Sequence, residues 1–179
     1  MVDPVAAHRL SYRFLFLAIV LGIFFLRLLP LSTVPSSWPQ PDILLCLTFA
    51  WLLRRPDYVP VLAVAAIFFI DDIFTLRPLG LHSAIVLAAT QFIRSRDVVL
   101  RDAPLMIEWL VVGITFTAIT LINWLILFLF VVDQPPLGQL LAQTLTTLLA
   151  YPLVILASVH LARVRKTAMG QVDALGHRL

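Results

Sequence analysis

Six ionisable residues lie within or beside long apolar stretches of this sequence: Arg27, Asp42, Asp71, Asp72, Arg77 and His82. In an apolar setting such side chains pair with one another, hold a polar ligand or metal ion, or relay protons. Adjacent Asp71 and Asp72 point about 100° apart on a helix, so they do not form a paired-carboxylate dyad. One of them can pair with Arg27 while the other faces a loop or solvent. Asp71, Asp72 and His82 are metal-ligand types without a metal-ligand spacing, so neither a metal nor a cofactor is expected. The chain has no G-x-S-x-G, no H-E-x-x-H, no phosphate-binding glycine loop and no Cys/His cluster. Its few glycines make a phosphate cradle unexpected as well. The lone Cys46 sits in an apolar run and reads as a packing residue. These absences point away from an enzyme.

The elements that must position the six residues are apolar helices. The chain is 61% hydrophobic, against about 45–50% for a soluble domain, and its mean hydropathy is +0.99. The excess runs the whole length, which predicts an all-α integral membrane protein. Residues 1–165 form the membrane domain and 166–179 a polar tail, whose composition predicts disorder. Six spans are expected, near Tyr12–Leu29, Asp42–Leu53, Tyr58–Thr75, Leu79–Arg94, Pro104–Val132 and Leu137–Ala162. The second and fourth are short of the roughly 20 residues a bilayer needs; thinning of the bilayer or shielding by other helices would accommodate them. Prolines mark most boundaries, and Pro152 inside the sixth span predicts a kink. No internal repeat is visible, which argues against a transporter built from inverted repeats.

Basic residues orient these spans. Arg9, Arg13, Arg54, Arg55, Arg94, Arg96, Arg101, Arg163, Arg165, Lys166 and Arg178 all fall in alternate segments, while the opposite segments carry only Arg77. Translocated loops avoid Lys and Arg, so both termini are expected in the cytoplasm. The same residues read as anchors at anionic headgroups, and nucleic-acid binding is not expected. Trp51, Trp109, Tyr12 and Tyr58 read as an inner aromatic belt, with Trp38 at the outer face. Arg27 lies about 21 Å along the first helix and Asp71 about 20 Å along the third. Both helices run outward. Asp42 and His82 open the second and fourth spans at that same face. Topology alone therefore gathers the six residues into an outer polar pocket or an internal salt bridge. Glu108, one turn into the fifth helix, suits the positive end of the helix dipole.

The ordered segments Trp38-Pro39-Gln40-Pro41-Asp42-Ile43-Leu44-Leu45, Trp51-Leu52-Leu53-Arg54-Arg55-Pro56, Phe69-Ile70-Asp71-Asp72-Ile73 and Pro78-Leu79-Gly80-Leu81-His82-Ser83 together resemble the rod shape-determining protein MreD family. Ile70 departs from the small residue or leucine common there. The resemblance implies a six-transmembrane-helix bundle similar in fold to the substrate-binding subunits of energy-coupling-factor transporters. It implies a bacterial inner-membrane location and a non-catalytic role in cell-wall elongation. MreC would be the direct partner, with RodA and a class B penicillin-binding protein in the larger complex. The other reading of the outer pocket is a membrane subunit that carries a small, vitamin-like molecule.

Overall fold

The computed structural model describes residues 4–29, 39–96 and 104–161. Trp38, the tail 166–179 and Arg101, Arg163, Arg165, Lys166 and Arg178 lie outside them. Six α-helices account for nearly all of the described chain: α1 Pro4–Leu28, α2 Ile43–Arg54, α3 Val61–Phe74, α4 Leu81–Ser95, α5 Leu105–Leu129 and α6 Leu137–Leu161. A 3-10 turn, Pro56–Tyr58, links α2 to α3. Three of these helices, α1, α5 and α6, are long and apolar enough to cross a membrane, which suggests a membrane protein.

The short α2 is the centre of the molecule. Every residue from Leu44 to Arg54 is buried, as expected of a helix that is apolar all round. It packs chiefly on α6 and also touches α1 and α4; α3 pairs with α4, and α5 packs on both α6 and α4. At about 18 Å, α2 is enclosed by neighbouring helices.

The long helices each bury one stripe. On α1 it is Phe16, Val20 and Phe24, four residues apart, and Phe16 tilts against Trp51 at 5.4 Å. On α5 it is Glu108, Val112, Phe116 and Ile119. On α6 it is Thr144, Thr147, Tyr151, Ile155 and Ser158. The remaining faces carry exposed Leu, Ile and Phe side chains, a pattern suited to lipid. α1 begins at Pro4, well before the expected Tyr12, because proline is tolerated in a helix's first turn and Val5–Arg9 contain no breaker. α6 runs as one helix through Pro152. The carbonyl of Leu148, which Pro152 cannot serve, accepts from Trp109 Nε1 at 3.1 Å.

Candidate functional site

At one end of the bundle α1 and α3 finish and α2 and α4 begin. Asp42 is the N-cap of α2, its Oδ1 accepting from Leu45 N at 3.1 Å. The segment before it, Pro39-Gln40-Pro41, keeps the backbone out of the helix until that residue. Asp42 also ties α2 to α6: its backbone N–H donates to Thr147 Oγ1 at 3.0 Å, and one turn on Cys46 Sγ donates to Thr147 O at 3.2 Å.

Arg27, in the last turn of α1, bridges two carboxylates. Nη1 donates to Asp71 Oδ1 and Nη2 to Asp42 Oδ1 at 3.1 Å. Asp71 is sealed in, with its side chain 1% exposed against 34% for the arginine. The sequence pairs Arg27 with one of Asp71 and Asp72; the fork reaches Asp71 and, in addition, Asp42. Asp72 turns the other way and is fully buried, so it faces neither solvent nor Arg27. Its Oδ2 accepts from Gly80 N at 3.0 Å and Ser83 N at 3.3 Å. The carboxylate thereby caps the start of α4 from the end of α3. Gly80, the α4 N-cap, has φ +86°, which glycine adopts without the Cβ penalty.

Beside this lattice lies a cavity of about 300 Å³, lined among others by Asp42, Arg77, His82, Phe116, Thr120, Asn123, Asp133, Gln134, Gln143, Thr144 and Thr147. His82 is 8% exposed, packs edge-on against Phe68 at 6.1 Å, and its Nε2 has no hydrogen-bond partner among the described residues. The six residues picked out by the sequence thus share one end of the bundle but divide by role. Asp42, Arg77 and His82 line the cavity, while Arg27, Asp71 and Asp72 hold helix ends together beside it. No group of three or more His, Cys, Asp or Glu among the described residues could hold a metal ion.

Other functional side chains were not legible in the sequence. Asp133 and Gln134 reach the cavity from the α5–α6 connection, where nothing in their local pattern marks them. Where α2 ends beside the first turn of α5, Arg54 Nη1 donates to Glu108 Oε1 at 2.8 Å, and the Tyr151 hydroxyl donates to the same oxygen at 2.9 Å. Glu108 does lie in the first turn of α5, as expected, but it is 1% exposed and is held there in an ion pair as well. Arg54 likewise points inward instead of anchoring at headgroups. Trp51 differs from the expected interfacial belt in the same way: it is fully buried, with Nε1 donating to Ser158 Oγ at 3.1 Å. Tyr58 is buried too, stacked on Tyr12 at 4.6 Å.

Arg13 and Arg94 meet at the turn after α2. Arg13 Nε donates to Asp57 O at 2.9 Å, and Arg94 donates to Pro56 O at 3.1 Å and Val59 O at 2.7 Å. These arginines lie at the end opposite the Arg27 cluster. No protein-family model, curated protein or solved structure matches the chain.

Proposed function

We propose that this protein is a six-span bundle of the bacterial inner membrane, with both termini in the cytoplasm. In this reading it acts without catalysis as an organiser of cell-wall elongation, in the manner of the MreD family. MreC is its direct partner, and RodA and a class B penicillin-binding protein belong to the larger assembly. One observation carries the reading. The charged residues within the family-like segments act as locks between helices: Asp42 and Asp71 on Arg27, and Asp72 on the start of α4. A chain whose polar residues fix its shape suits a scaffold. The gathering of arginines at the opposite end supports the orientation.

Co-purification in detergent tests the role. The short connections leave little area for a standard interface of about 800 Å² per partner, so a partner must be held largely within the bilayer. An MreC fragment made of its membrane helix and short flanks should co-purify, and its isolated periplasmic domain should not. Retention of the soluble domain alone would overturn this arrangement; recovery of an ATP-driven module in place of wall-synthesis proteins would favour the small-molecule carrier. That second reading draws support from the cavity beside Asp42. Reporter fusions after Ser36 and Gln134 should report the periplasm, and fusions after Arg55 and Arg96 the cytoplasm.

A further inference from the structure

Four polar side chains on the wall of the cavity beside Asp42 are unengaged. Arg77, Asn123, Asp133 and Gln143 line it and take part in no side-chain hydrogen bond or ion pair among the described residues. They come from four different places: the α3–α4 connection, α5, the α5–α6 connection and α6. Arg77, Asn123 and Gln143 are half-buried and Asp133 is exposed, so a solute in the cavity can reach each of them.

With histidine neutral, the charged side chains on this wall are those of Asp42, Arg77 and Asp133. Asp42 is already answered by Arg27 and by Leu45 N. One cation and one anion remain, sharing a wall without pairing with each other. A simple anion would serve only Arg77, and a simple cation only Asp133. A zwitterion serves both. The guanidinium offers a planar fork that matches a carboxylate, and the carboxylate of Asp133 accepts from an ammonium group. The amides of Asn123 and Gln143 can donate to the one and accept from the other. Between these groups the wall is apolar, with Leu45, Phe116 and Ile119. The volume of about 300 Å³ corresponds to roughly ten water-sized groups, the size of a single amino acid, and sits at the small end of ligand sites.

The backbone supports the same pair of charges. Among the described residues the non-glycine positions with positive φ are Leu76 and Val131, at +52° and +54°. Arg77 directly follows the first, and Asp133 comes two residues after the second. Each left-handed residue closes a helix, α3 or α5, and turns the chain so that Arg77 and Asp133 reach the cavity. Strained backbone of this kind persists where the surrounding structure over-determines it, and it clusters at ligand sites.

We propose that this cavity binds a zwitterionic α-amino acid with an apolar side chain. Arg77 takes its carboxylate, Asp133 its ammonium group, and the Leu45, Phe116 and Ile119 wall its side chain. This ligand class deepens the small-molecule reading above, and recovery of an ATP-driven module tests that reading separately. Amino-acid binding without such a module makes the chain a scaffold that responds to a ligand.

The test uses radiolabelled leucine and the purified full-length chain in lipid nanodiscs, with empty nanodiscs as the blank. Isoamylamine, which is leucine without its carboxylate, and isocaproate, which is leucine without its amine, serve as competitors. Leucine should bind saturably above the blank, and each one-charge analogue should compete roughly tenfold less well than unlabelled leucine. Arg77→Met should weaken leucine binding and abolish its advantage over isoamylamine, while keeping its advantage over isocaproate. Asp133→Asn, an isosteric change at an exposed position, should do the reverse. No saturable binding above the blank, equal competition by either analogue, or unchanged affinity and selectivity in either variant would overturn the proposal. The chain is tested alone, so failure here leaves the co-purification result with MreC standing.

Discussion

Arg54 Nη1 lies 2.8 Å from Glu108 Oε1, with the two side chains 6% and 1% exposed. The pair joins the enclosed α2 to α5, and the Tyr151 hydroxyl on the same oxygen adds α6. Arg54 Nη1 also donates to Ala50 O at 3.1 Å, so the guanidinium is held from its own helix as well. Two charges this deep are stable only together. Removing one leaves the other buried and uncompensated, at a cost of about 3–5 kcal/mol. Glu108→Leu should therefore lower the unfolding temperature in detergent sharply. Arg54→Met combined with Glu108→Leu fills the space with apolar groups and should recover most of the loss. A double variant no more stable than Glu108→Leu alone would show that the pair is not what makes that position sensitive.

The Arg27 bridge should respond in the same direction but less strongly. Arg27→Ala strands Asp71, which is nearly sealed, yet the arginine itself is about one-third exposed, and water screens part of what it contributes. A loss of about 3 kcal/mol, the low end for a broken buried pair, is expected. Adding Asp71→Ala should restore part of it, because the stranded charge is then gone. Unfolding in denaturant measures both, and a further fall in the double variant would count against the bridge.

The contrast between these two pairs explains what the sequence could and could not convey. Arg27 and Asp71 were legible because each lies a countable distance along its own helix, and topology set both at one depth. Glu108 hid behind a local explanation, its place in the first turn of a helix, while its partner sits 54 residues earlier. The central position of α2 was hidden for a different reason. Lipid and a protein core are both apolar, so an all-apolar helix of twelve residues has no periodicity to say which it faces. Only the length of α2 hinted at shielding. The cavity wall was harder still, since Gln134 and Asp133 reach it through the turn that follows α5.

Two helix ends carry a residue that their geometry does not favour. After α3, Leu76 N donates to Ile73 O at 3.3 Å and Arg77 N to Asp72 O at 3.1 Å; after α5, Val131 N donates to Phe128 O at 3.1 Å and Val132 N to Leu127 O at 3.0 Å. This paired closure normally carries glycine at the left-handed position. Here Leu76 has φ +52° and Val131 φ +54°, and both side chains are at least 90% exposed. The left-handed conformation costs an L-residue about 1–2 kcal/mol, against about 0.5–1 kcal/mol for the extra freedom of glycine in the unfolded chain. Leu76→Gly and Val131→Gly should therefore each stabilise the protein by about 0.5–1 kcal/mol. The gain should be larger at the β-branched valine. Denaturant unfolding of the single variants checks this, and a loss at either position would mean that the exposed side chain is held by something outside the bundle.

The last prediction concerns how α6 tolerates Pro152. Proline has no N–H, so the carbonyl one turn back, on Leu148, loses its intrahelical donor. Trp109 Nε1 supplies that donor from α5 at 3.1 Å. The indole and the proline are then a matched pair, each accounting for the other. Trp109→Phe keeps an aromatic ring but removes the N–H, leaving a part-buried carbonyl unserved at about 1–2 kcal/mol. Pro152→Ala restores a backbone donor to the same oxygen, so in that background the cost of Trp109→Phe should fall by at least half. A double-mutant cycle on thermal unfolding reads this coupling directly. If the two losses simply add, Leu148 O does not depend on the indole, and the continuity of α6 through Pro152 has another cause.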